Sequence, residues 1–181
     1  MSAITSFRVG DKVVYPNQGV GVIEHISSRA VGETSQNFYL LKIESSNLRV
    51  MVPFANVDSV GMRAVTEACN LTPILEYLQQ PEAAVVPGDW KWRFKENSDK
   101  MRSGSLPLVA EVLKTLVQLH QVKPLSFREK KMLDRSVTLL ISEMASARNL
   151  TSEATLELLR QALAKAELVL PALEPEENSR G

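Results

Sequence analysis

The sequence predicts an α+β chain: a small SH3/Tudor-like β-barrel followed by an all-α helical domain. Short runs rich in β-branched residues, separated by turn clusters, fill residues 7–60. Beyond Gly61 the apolar spacing lengthens from two residues to three or four. A length of 181 residues gives each half enough chain for a core of its own.

The barrel is expected over residues 1–61. Residues 7–15 read as a first strand, Pro16-Asn17-Gln18-Gly19 as a turn, and residues 20–26 as the return strand. Residues 38–43 and 48–53 are two further strands, joined by the hairpin residues Glu44-Ser45-Ser46-Asn47. Residues 57–60 read as a fifth strand that stops at Gly61. Gly10, Gly19 and Gly21 suit a strongly bent sheet with close backbone approaches. Such a barrel offers a rim strand for pairing with another protein.

Residues 62–88 are expected to hold a first helix, with Leu71, Ile74, Leu75 and Leu78 in helical register, and then a connection broken by Pro81 and by Val86-Pro87-Gly88. The helical domain is expected over residues 89–168. Asp89 can cap a helix that runs to Arg102 and stops at Ser103-Gly104. Ser105 opens the next helix, with Pro107 in its first turn and a stripe of Leu108, Val112, Leu116 and Leu119; Pro124 ends it. Ser126-Phe127-Arg128-Glu129 has the form of a capping box and opens a long helix. Thr151 or Ser152 caps the last one, where Leu156, Leu159 and Leu163 recur. Residues 169–181, rich in Glu and Pro, read as a disordered acidic tail.

Function is hinted at by Asp89-Trp90-Lys91-Trp92-Arg93-Phe94-Lys95, where aromatic and basic residues alternate at a helix start. Rings two residues apart point in nearly opposite directions, so Trp90 and Trp92 cannot both face one core. An exposed ring beside Lys and Arg can wedge between base steps while the cations hold phosphates. The alternative is that these rings anchor the helix to its own domain. Net charge is zero, but residues 91–135 hold eleven Lys/Arg against five acids, and residues 136–181 hold four against seven. DNA contact is therefore expected on one face only.

Cys69 has no partner for an internal disulfide and no basic neighbour to lower its pKa. His25 and His120 are far apart in sequence and lack metal-ligand spacing, so neither a metal nor a cofactor is expected. The glycines do not form a phosphate-binding pattern, and no nucleophile and base pair supports an enzyme. No secretory signal or membrane-spanning run stands out, so a cytoplasmic protein is expected, with no membrane partner. Lys130-Lys131 fits either a solvated helix face or a phosphate contact.

Four motifs in order resemble one family: Phe7-x-Val9-Gly10-Asp11-x-Val13-Val14-Tyr15-Pro16-x-x-Gly19-Val20-Gly21, then Met51-Val52-Pro53, then Trp90-x-x-Arg93-Phe94-Lys95, then Leu125-Ser126-x-x-Glu129-Lys130-x-Met132-Leu133. Together they resemble the bacterial CarD/CdnL transcription regulators over residues 5–165. The barrel is also similar to the polymerase-interacting module of the transcription-repair coupling factor. The resemblance implies a monomeric, nucleoid-associated adaptor. Its barrel would dock on the RNA polymerase β subunit through Arg29, Met51 and Pro53. Its helical domain would hold promoter DNA, largely without sequence preference and through the minor groove, at the upstream edge of the bubble. Trp90 would be the wedge, with Arg93, Lys95, Lys130 and Lys131 near DNA. Trp92 stands where relatives often have a basic residue and is a second possible wedge. Met51 stands where some relatives have Arg, which turns a charged contact into packing. Periodicity points the other way: Trp90, Phe94 and Met101 share a helical face, which would bury Trp90 and expose Trp92. An adaptor whose helical domain recruits a protein instead of DNA is the alternative function.

Overall fold

A computed structural model describes residues 6–81 and 88–174. Strands β1 (Lys12–Tyr15), β2 (Gly19–Val31), β3 (Thr34–Ile43), β4 (Arg49–Pro53) and β5 (Arg63–Ala64) form one antiparallel sheet in the order β4-β3-β2-β1-β5. The inward residues Val13, Ile23, Tyr39, Leu41 and Val52 close on Phe7, Val57 and Met62. The register between β2 and β3 shifts between Ile23 and His25, a bulge that bends the sheet around this core.

Residues 57–60 are not a strand. They form a short helix, α1 (Val57–Val60), which Gly61 closes in the left-handed conformation at φ 76°. A short apolar run does not by itself distinguish the two structures, and here the capping glycine decides. The fifth strand lies beyond that glycine, where Ala64 and Arg63 pair with Val13 and Val14. The β2–β3 hairpin is also longer than its apolar pattern indicates. From Ser28 to Asn37 its residues are exposed and, Val31 apart, polar or small on both faces, so alternation gives no signal there.

The second half consists of α2 (Thr72–Gln79), α3 (Trp90–Arg102), α4 (Leu106–Val122), α5 (Phe127–Arg148) and α6 (Ser152–Lys165). Leu71, Leu78, Leu113, Leu116, Leu140, Met144, Leu159 and Leu163 make one buried cluster. α2 therefore belongs to the helical core and is more than a connection. Lys114, almost wholly buried, donates from Nζ to the carbonyls of Tyr77 and Gln80 at 2.7 Å each, holding the C-terminal end of α2 where a cation is favoured.

One sequence expectation changes here. Residues 169–174 are not a free tail, because Leu170 and Leu173 pack on the helical core and Glu174 pairs with Lys131 at 3.7 Å. Acidic and proline-rich composition hid these two leucines. Residues 175–181, and Val86 and Pro87 of the expected connection, lie outside the described residues. Among the described residues no helix is long and apolar enough to cross a membrane.

The two halves meet along α5. Gly19, at φ 99°, lies so close to this helix that an added Cβ would be 3.1 Å from Ser142 Oγ. Gly104, at φ 75°, lies against Pro16 in the same way, with 2.9 Å to Pro16 Cγ.

Candidate functional site

Helix α3 starts where the sequence predicts. Asp89 accepts a hydrogen bond from the Lys91 N–H at 2.9 Å, which makes Trp90 the first helical residue. The buried stripe of the helix is Arg93, Asn97 and Met101; Trp90 continues its line at the first turn, where the stripe leaves the core, and is 55% exposed, while Trp92 faces the opposite side at 53% exposure. Neither tryptophan is a core anchor, which corrects the periodicity argument for burying Trp90. The face it picked is the buried one, and the exposure of Trp92 agrees with it, but at the first turn the stripe runs out of the core and Trp90 is left in the open.

Arg93, carried over as a DNA contact, is 3% exposed and donates to Glu129 Oε1 at 2.9 Å. It is unavailable to a phosphate in this conformation. Glu129 Oε2 meanwhile accepts from the Ser126 N–H at 3.0 Å and the Ser126 hydroxyl at 2.9 Å, and Ser126 Oγ accepts from the Glu129 N–H. The capping box of α5 thus doubles as the socket for an arginine of α3. Burial pushes the Glu129 carboxyl up, but the bonds from Ser126 and the Arg93 guanidinium outweigh it and hold the carboxyl below its ordinary value.

A wide groove runs beside this pair, lined by Trp90, Phe94, Pro124, Leu125 and Phe127, with the cations Lys123 and Arg128. Phe127 is 69% exposed, and Lys131 Nζ lies 5.4 Å from its ring. A second groove continues from Phe94, Phe127 and Arg128 to Lys131 and Arg102. The structure therefore groups Trp90 and Lys131 with residues that sequence reasoning did not single out, namely Lys123, Phe127 and Arg128. Their signal was available: Phe127 is a large apolar residue at the first position of a capped helix, where the helix has no inward neighbour. Lys95 and Lys130 are exposed, but they and Trp92 line neither groove.

On the sheet, Met51 is 39% exposed and pairs with Leu40, which pairs with His25. Pro53 pairs with Phe38, which pairs with Ser27, two residues before Arg29. Alternation places Arg29, Met51 and Pro53 on the outward face; by strand spacing Pro53 lies about 7 Å from Met51 and about 12 Å from Arg29, and Arg29 about 16 Å from Met51. β4 is a margin of the sheet, with its outer edge open. Arg49 on this strand is tied to Glu24, its Nε 2.9 Å from Oε2.

Known proteins match both halves. The family described as CarD-like/TRCF RID domain matches residues 7–66, and the CarD C-terminal domain matches residues 73–160. YdeB of Bacillus subtilis (strain 168), named as a candidate transcription factor, is 36% identical over 148 residues, 81% of this chain and 95% of that protein. The solved structure of CdnLNt from Myxococcus xanthus is 46% identical and covers 34% of this chain and 86% of its own, with a TM-score of 0.29. With both domain families matched in order across most of its length, the chain belongs to the CarD/CdnL family of transcription regulators.

Proposed function

We propose that this protein docks on the RNA polymerase β subunit through the open edge and outward face around β4, and stabilises the promoter open complex by presenting Trp90 to DNA at the upstream edge of the bubble. One observation carries the reading: Trp90 is half exposed at the first position of a capped helix, beside a groove that combines aromatic rings with Lys123 and Arg128. An exposed ring on a rigid support can fill an opened base step, and flanking cations can hold the strand. Phosphate contacts come from Lys95, Lys123, Arg128, Lys130 and Lys131, while Arg93 supports α3 from within. The mostly apolar lining of the groove also favours a second reading, in which it takes a protein segment. Open-complex lifetime after competitor challenge, with Trp90→Ala against wild type, separates them. Loss of the lifetime effect with polymerase capture intact supports the wedge. An unchanged lifetime rejects it, and salt-insensitive DNA binding would reject the phosphate contacts.

A further inference from the structure

Beside the apolar packing of Pro16 and Leu139, the contact between the two halves holds a polar, largely buried and directional network. Glu143 of α5 is 3% exposed, and its carboxylate accepts four hydrogen bonds from beyond the helix. Arg63 of β5 donates from Nη1 at 2.6 Å and Nη2 at 2.9 Å, and Thr66 donates from N at 2.9 Å and from Oγ1 at 2.6 Å. The same guanidinium reaches the Gly104 carbonyl, in the turn between α3 and α4, at 3.1 and 2.7 Å. Further along α5, Ser142 Oγ accepts from the Val20 N–H at 3.1 Å, and Arg135 donates to the Asn17 carbonyl and to Gln18 Oε1. Arg135, Leu139 and Ser142 recur at helical spacing, so one stripe of α5 faces the sheet.

A stable fold does not require this arrangement, because an apolar pair of similar volume often stabilises as much as a buried ion pair. An apolar patch tolerates sliding, whereas a carboxylate with four donors accepts one geometry. On the sheet side, β5 is hydrogen-bonded to β1 and through β2 and β3 to β4, the strand of Met51. On the helical side, Gly104 follows the end of α3, a lever of 13 residues and about 20 Å whose other end is Trp90.

Resting on the reading above, we propose that Arg63 and Glu143 are positioning residues: they lock the two halves into one rigid body, so that docking at β4 fixes where Trp90 meets DNA. Without the lock, the segment at residues 65–67 would still tether the helical domain at high local concentration, but not in one orientation.

The test uses the full chain with Arg63→Met/Glu143→Gln, which removes both charges together and leaves no buried carboxylate unpaired. Thr66→Val, which removes one of the four donors to Glu143 and lies in neither groove, is the second variant should the first fail to fold. Distances are read by pulsed spin-label spectroscopy between labels on Asp58→Cys and Arg160→Cys in a Cys69→Ser background. The expected result is a narrow distance distribution in the parent that broadens in the variant. Polymerase capture and the protein's own DNA affinity stay unchanged, while the open-complex lifetime falls as far as in Trp90→Ala. An unchanged narrow distribution overturns the lock. A full lifetime in the lock variant, alongside a shortened one in Trp90→Ala, overturns the coupling and leaves the wedge reading standing. Full lifetimes in both overturn the wedge reading and the coupling with it.

Discussion

Arg93 and Glu129 form a buried ion pair between α3 and α5, their side chains 4% and 9% exposed. Removing one partner strands the other's charge away from water, which typically costs about 3 to 5 kcal/mol. Arg93→Ala should therefore lower the melting temperature clearly, whereas Lys95→Ala should leave it unchanged and weaken DNA binding only. Equal melting temperatures for the two variants would remove the structural role assigned to Arg93. The Glu129 carboxyl is held below its ordinary value of 4.5, so its ionised form is favoured in the folded state. That contribution is fully present above the ordinary value and is lost as pH falls through the lowered one. Melting series below pH 5 should show wild type losing more stability than Glu129→Gln, and parallel curves would contradict this. Both tryptophans are half exposed, so neither Trp90→Ala nor Trp92→Ala should approach the ~3 to 5 kcal/mol of a buried aromatic truncation. Trp90→Ala should instead shorten open-complex lifetime about tenfold, since a ring filling an opened step contributes ~1 to 2 kcal/mol out of the few that unstacking costs.

At the level of elements, β4 combines an open edge with the outward side chain of Met51, while Val52 points into the core. A partly exposed apolar anchor on such an edge commonly contributes ~2 kcal/mol or more to an interface, and a carboxylate there would be desolvated on docking. Met51→Glu should weaken polymerase capture by about thirtyfold or more, with the far-ultraviolet spectrum and melting curve of the sheet retained. Full capture by this variant would exclude Met51 from the interface. Helix starts were legible in sequence because capping is local: Asp89, Ser126 and Thr151 each accept a bond from an N–H two or three residues on. The run at residues 57–60 was not, because the same four residues fit a strand or a helix until the chain beyond Gly61 supplies β5.

Across the whole molecule, the excess of positive charge lies in residues 91–135, the stretch that supplies the cations of both grooves, and the chain as a whole is neutral. A handful of phosphate contacts gives weak, sequence-tolerant duplex binding, with a dissociation constant on the order of 10⁻⁴ to 10⁻⁶ M that rises with salt. Titration of labelled duplex at two or three salt concentrations checks this, and tight binding that ignores salt would contradict it. Docking then supplies the local concentration that affinity lacks.

The sequence by itself determined the α+β order, the helix starts, the apolar residues of both cores and the motifs that mark the family, because caps, turns and periodicity depend on neighbours a few residues away. Only the tertiary structure decided how far the buried face of α3 extends and that an arginine fills it. Arg93 turns inward because Glu129, 36 residues on, is waiting in a capping box. Trp92 is exposed on the opposite side, as the spacing indicates, whereas the exposure of Trp90, in line with the buried stripe, depends on where the core ends at the first turn. The grouping of Trp90 with Phe127 and Arg128, and the docking of sheet on helices through Glu143, likewise join groups distant in sequence. Such pairings are settled by packing and by the cost of leaving a buried charge without a partner.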